Sequence, residues 1–272
     1  MRFGPAGYPP EGKTAFGSLE YTRSLGLDAL EVELVRGARV SEERAIKIGE
    51  AAKELDIRLS CHAPYFISFN SDSQETRDRS VEWVMDTARV AHNMGAYLIV
   101  IHAASYGKHP ETALDSVIKG LTTCKNNLDN EGIDDVILGV ETMGKKGQFG
   151  TLDEIGKVME SVEGVRPVLD VAHVHARNGG SLKTQKDMQD LIDDFFPLCG
   201  DIAHFHISGI EFGDRGEKKH LTLDSKQPDM QLLANVLNDS NQECTFICES
   251  PEISADAVVF KDMFPRFRAG SV

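Results

Sequence analysis

The chain has 272 residues, 41% of them hydrophobic, with 29 lysines and arginines against 43 aspartates and glutamates, a formal charge of −14. That length suits one α/β barrel with a large buried core, and no uninterrupted apolar run is long enough for a membrane-spanning helix. The acidic balance argues against a broadly basic surface for nonspecific nucleic-acid binding, while leaving room for a local basic groove or bound divalent cations.

In chain order, the first apolar run is MRFGPAG (1–7). The opening segment MRFGPAGYPPEGK lacks a charged start followed by an apolar stretch, so no signal peptide is expected. A helical pattern over 14–25 follows, then a strand, DALEVEL (28–34). Ser41 can cap a helix whose first turn holds Glu42 and Glu43, with Ala45, Ile48, Ala52 and Leu55 on one face. DIRLSCHA (56–63) is the third predicted strand. Ser71 and Gln74 have capping-box spacing ahead of Val81, Val84, Met85 and Ala88, and Gly95 is placed to stop that helix. Strands AYLIVIHA (96–103), DVILGVET (135–142), RPVLDVA (166–172), IAHFHIS (202–208) and CTFICES (244–250) come next. Weaker helical patterns cover 110–129, 151–162, 184–196, 228–238 and 254–263. The longest irregular stretch, 209–229, follows the seventh strand, and loops of that length are often functional. The middle strands are nearly continuous apolar runs, as parallel strands covered on both faces require. Strand then helix, eight times without a linker, predicts a single-domain (β/α)8 TIM barrel over 1–272.

Five cysteines, Cys61, Cys124, Cys199, Cys244 and Cys248, form no CxxC pair. An odd count without a framework predicts free thiols in a reducing, cytoplasmic compartment; a cysteine zinc ligand is the alternative.

Barrel chemistry sits at the C-terminal ends of the strands, where metal-ligating residue types recur here. His62 and His102 end the third and fourth predicted strands, Glu141 the fifth, and Asp170 with His173 the sixth. His206 ends the seventh, Glu249 the eighth, and His220 lies in the long loop. In VLDVAHVHARNGG (168–180) the strand is expected to give way to a loop carrying His173 and His175. Carboxylates gathered in a low-dielectric mouth repel one another unless cations join them, and imidazole with carboxylate suits zinc, manganese or iron. One zinc takes about four ligands, so this set predicts two or three ions, an arrangement suited to phosphoryl-ester cleavage. His92, His109 and His204 read as structural, and His175 as at most a supporting residue. Gly144 and Gly147 in ETMGKKGQFGT read as a flexible loop without a phosphate-binding role.

Six segments carry a resemblance: CHAPYFISFN (61–70), IHAAS (101–105), GVETMGKKGQFGT (139–151), LDVAHVHARNG (169–179), HFHISG (204–209) and ICESP (247–251). In order and spacing they resemble the metal-binding motifs of the endonuclease IV family, zinc-dependent apurinic/apyrimidinic endonucleases among the xylose-isomerase-like TIM barrels. The resemblance implies three zinc ions. His62, His102 and Glu141 match the ligands of one, and Glu141 bridges to a second held by Asp170, His206 and Glu249. His173 and His220 match ligands of the third. It implies a hydrolase that cuts damaged double-stranded DNA on the 5′ side of an abasic site, with Glu141 and Glu249 as the catalytic carboxylates and Glu141 positioning the attacking water. Tyr65 and Phe66 match a pair that wedges into the DNA stack, which favours damaged DNA because it deforms more easily. In VELVRGARVSEE, Arg36 or alternatively Arg39 is expected to reach a phosphate. A monomer is expected.

One departure matters: EKKHL places Lys218 two residues before His220, where the family has an aspartate. Either Glu217 or another loop carboxylate substitutes, or the third site is weak. The alternative function is a xylose-isomerase-like sugar isomerase or epimerase, whose single ion would need only Glu141, Asp170, His206 and Glu249. His62, His102 and His173 are superfluous to that chemistry and favour the nuclease.

Overall fold

A computed structural model describes residues 1–267. Eight strands form one sheet: β1 (Arg2–Pro5), β2 (Ala29–Glu33), β3 (Arg58–His62), β4 (Leu98–Ile101), β5 (Ile137–Glu141), β6 (Val165–Asp170), β7 (Ile202–Ile207) and β10 (Glu243–Cys248). Their order is β1-β10-β7-β6-β5-β4-β3-β2, and the pairings run parallel. The two ends of that order are stitched just ahead of β2. The Asp28 N–H donates to the Phe3 carbonyl at 3.0 Å, and the Phe3 N–H donates to Asp28 Oδ1 at 2.8 Å. This is the strand order of the TIM barrel expected from the sequence. A separate antiparallel hairpin joins β8 (Gly209–Gly213) to β9 (Gly216–Leu221).

Among the described residues, 1–30, 144–146 and those from 169 to 267 form one compact unit, and residues 31–143 and 147–168 a second. The second carries α2 (Glu42–Glu54), α3 (Gln74–Met94), α4 (Ala113–Glu131) and α5 (Leu152–Ser161). The α2 cap is as expected: Ser41 Oγ accepts from the Arg44 N–H, and Ala45, Ile48 and Ala52 are buried. The cap of α3 is not. Ser73, rather than Ser71, accepts the Thr76 N–H, at 3.3 Å. Ser71 lies in the preceding turn, where its hydroxyl accepts the Ser73 N–H and its carbonyl accepts from Arg77. Gly95 ends α3 at a φ of 66°, a conformation glycine adopts without strain.

The first unit carries α1 (Ala15–Ser24), α6 (Val171–Arg177), α7 (Gln185–Cys199), α8 (Met230–Leu237) and α9 (Ile253–Asp262). Two expectations are corrected here. The segment after Asp170 is the helix α6 rather than a loop, because Asp170 Oδ1 accepts the His173 N–H at 2.7 Å and so caps it. Most of the predicted irregular stretch 209–229 is ordered as the β8–β9 hairpin, closed by the two-residue turn Asp214–Arg215 between the paired Gly213 and Gly216.

An aromatic ladder anchors the strands of this unit. Phe3, Phe246 and Phe205 are in register across β1, β10 and β7, with ring centroids 5.2 and 4.9 Å apart. Phe260 of α9 lies 5.1 Å from Phe246. Side chains alternate across a strand, so His204 and His206 leave β7 on the face opposite Phe205.

Candidate metal centre

In the second unit, β3, β4 and β5 bring together His62, His102 and Glu141. One donor atom from each lies within 4.8 Å of the others. His102 Nε2 is 2.6 Å from Glu141 Oε2, and His62 Nε2 is 3.5 Å from the same oxygen. His62 Nδ1 sits 2.7 Å from the Ala63 carbonyl, which can only accept, so Nδ1 carries a proton. In the neutral ring Nε2 then offers a lone pair toward a carboxylate oxygen. Two facing acceptors need a proton or a cation between them, and a backbone carbonyl fixing the outer nitrogen is the usual way a metal-ligating histidine is oriented.

The first unit supplies two further groupings. Asp170, His206 and Glu249 offer donor atoms within 4.8 Å of one another, His206 Nδ1 lying 3.5 Å from Glu249 Oε1. Asp170 is buried and Glu249 half-buried. Asp170, His173 and His220 form the other grouping, also within 4.8 Å. Ser208 Oγ lies 2.8 Å from His220 Nδ1. His173 is held from both sides: Nδ1 is 3.5 Å from Asp170 Oδ2, and Nε2 is 3.4 Å from Glu217 Oε2.

Glu217 reaches His173 through a β-bulge. Ile210 pairs with His220 and Glu211 with Lys219, but Phe212 pairs with Glu217, so Lys218 is an extra residue in β9. Without it, the two-residue alternation would put Lys218 on the His220 side. The bulge instead turns Lys218 to the side of Lys219. Both ammonium groups pair with Glu211, at 3.3 and 3.4 Å, and Glu217 takes the inward place. Gly144 makes room for this carboxylate, since a Cβ there would lie 2.7 Å from the Glu217 Cβ and 2.9 Å from His173 Cδ2.

The donor set of imidazole nitrogens and carboxylate oxygens suits zinc. Among the described residues no cysteine belongs to any such group. All five cysteines are buried thiols outside any disulfide. Burial pushes the Cys124, Cys244 and Cys248 thiols up to about 12 and raises that of Cys61 further, with Glu31 adding to it.

Around the donors, Tyr65 and Phe66 are 51% and 46% exposed, unusual for large aromatics. Tyr65 lies over the two imidazoles, its centroid 4.9 Å from His62 and 5.1 Å from His102. Phe66 rests edge-on against Trp83 of α3, at 4.3 Å. Arg36 is exposed in the turn after β2, where the Gly37 N–H bonds back to the Leu34 carbonyl. His92 is bonded to Asp135 and His109 is an exposed loop residue, both away from the donor groups. His175 is buried: Nδ1 accepts the Leu182 N–H at 3.1 Å, leaving Nε2 to donate to Gln227 Oε1 at 3.2 Å. Burial holds its pKa below the ordinary histidine value. It ties α6 to the segment that follows the hairpin. Sequence reasoning passed over Glu31, fully buried in β2, whose Oε2 accepts from Ser60 Oγ at 2.7 Å. A glutamate inside the apolar run ALEV was the available signal.

The fold agrees with what the chain resembles. Residues 19–263 match the family described as xylose isomerase-like TIM barrel, and the chain belongs to that family. An uncharacterized protein of Methanocaldococcus jannaschii is 33% identical over 262 residues, covering 94% of each chain. A probable endonuclease 4 of Mycoplasma pneumoniae is 29% identical over 184 residues, 67% of this chain and 53% of that protein. Among solved structures, endonuclease IV from Thermus thermophilus superimposes with a TM-score of 0.74 at 20% identity, covering 98% of this chain and 100% of that one. A D-tagatose 3-epimerase-like protein gives 0.73 at 16% identity, covering 98% and 97%. At those identities the structural likenesses establish the fold alone.

Proposed function

We propose that the chain is a metal-dependent phosphodiester hydrolase that cuts DNA on the 5′ side of abasic sites. The observation that carries this reading is the His62–His102–Glu141 group, complete in itself and additional to the Asp170–His206–Glu249 group. A one-ion isomerase has no use for it. Probable endonuclease 4 relatives support the same reading. Zinc bound at these groups would supply Lewis-acid charge that stabilises a phosphorane-like transition state and acidifies water.

The chain's own residues supply the rest. Glu141 orients the attacking water and takes up its proton. Half-buried Glu249 is the solvent-facing carboxylate of its group and would help hold the ion that meets an incoming phosphate, whereas buried Asp170 orients His173 and caps α6. Tyr65 and Phe66 enter the DNA stack beside the lesion, with Trp83 bracing Phe66. Arg36 meets a backbone phosphate. The second reading, sugar isomerisation, rests on Asp170, His206 and Glu249, which would serve a single ion.

Metal analysis separates the two: the nuclease requires two or more zinc-like ions per chain, and one ion favours the isomerase. A duplex with one abasic analogue is cut 5′ of the lesion, and chelation abolishes the cut. An intact duplex in the presence of zinc defeats the proposal. Glu217→Ala is expected to lower the bound zinc by one ion per chain, whereas Lys218→Ala leaves it unchanged. Equal counts in wild type and Glu217→Ala remove Glu217 from the donor set.

A further inference from the structure

We infer that Lys145, Lys146 and Arg215 form a ridge that docks the phosphate backbone of duplex DNA beside the His173–Glu217 pair. The inference rests on the nuclease reading and adds a contact surface to it. The loop after β5 is not loose. Lys145 forms an antiparallel bridge with Gly216, flanked by two hydrogen bonds: Lys146 N–H to the Arg215 carbonyl and Glu217 N–H to the Gly144 carbonyl, both 3.1 Å. Gly216 is required there, since a Cβ would lie 2.1 Å from the Gly144 carbonyl oxygen. Arg177 of α6 fastens the same strip, its guanidinium donating to the Lys145 carbonyl at 2.6 Å.

This pairing sets Lys146 directly opposite Arg215, with Lys145 next to them, and all three side chains are exposed. Lys146 and Arg215 are turn residues beside the bridge, and like charges on hydrogen-bonded neighbours repel one another. Elsewhere in the hairpin that repulsion is relieved, because Lys218 and Lys219 share Glu211. Among the described residues, Lys145, Lys146 and Arg215 have no such ion pair. A chain of formal charge −14 has carboxylates in excess, yet it holds three cations together on an ordered backbone. The ridge also begins one residue from Gly144, which packs against His173 and Glu217. An external polyanion relieves the repulsion, and the repeated phosphates of a DNA strand offer one charge to each cation. Backbone contacts of this kind position a duplex without reading its sequence.

The test measures binding of a duplex carrying one uncleavable abasic analogue across a salt series, for the wild type and for K145Q/K146Q/R215Q. Each lost phosphate contact removes about 0.9 from the slope of log K against log salt, so the triple variant's slope is expected to fall by about two to three. Its affinity at low salt falls, its zinc content is kept, and its melting temperature is equal or higher because the repulsion is gone. A merely structural role would lower the melting temperature and leave the slope alone. An unchanged slope overturns the ridge and spares the nuclease reading; a wild type with no affinity for the duplex overturns both.

Discussion

A Glu141→Gln variant is expected to cut abasic duplex about 10²–10⁴ times more slowly than the wild type, the usual contribution of one positioned acid–base group. Glutamine keeps the shape and one oxygen but loses the charge and the ability to take a proton. It also places an amide against His102 Nε2 and His62 Nε2, which lie 2.6 and 3.5 Å from the present carboxylate oxygen. Single-turnover cleavage with parallel metal analysis checks this. Slow cleavage with full metal content supports water positioning. Slow cleavage with lost metal makes Glu141 a ligand first, and a wild-type rate removes it from the mechanism.

The largest expected effect on stability comes from Phe246→Ala. Phe246 is buried at the centre of the aromatic ladder, with ring neighbours Phe3, Phe205, Phe260 and Phe264 at centroid distances of 5.2, 4.9, 5.1 and 5.9 Å. Truncating a buried phenylalanine costs about 3–5 kcal/mol, the lost burial plus the cavity left behind. Against a total stability of roughly 5–15 kcal/mol, that is a large share. Urea denaturation is the measurement, with Phe246→Leu expected to cost less because it leaves a smaller cavity. A loss under about 1 kcal/mol would mean that the neighbouring rings collapse into the space.

The strands were legible because burial on both faces leaves runs such as AYLIVIHA that read apolar throughout. The candidate donors stood out because they stand where those runs stop. What the sequence hid is local and comes from backbone hydrogen bonding. The helix α6 was masked because Asp170 serves both as strand end and as helix cap, and its seven residues, Val171–Arg177, are too few to show a period. Ser71 and Ser73 are both good caps, and only the turn ahead of α3 decides between them. The β8–β9 hairpin lacks alternating apolar residues, and its bulge shifts the inward carboxylate to a spacing no fixed motif would search for. The ordering of Lys145 and Lys146 depends on Gly216, seventy residues away in sequence.

Strand alternation ties the accuracy of the site to hydrophobic energy. His206 and Phe205 are neighbours on β7, facing opposite ways. A slip of β7 by one residue would swing the imidazole out of reach of Asp170 and Glu249, and would also pull a phenyl ring off its partners on β10 and α7. Leaving such a ring unburied forfeits about 1.5–3 kcal/mol. Misaligned assemblies are therefore rejected during folding before any ion is needed to select among them, and the donors arrive already sorted.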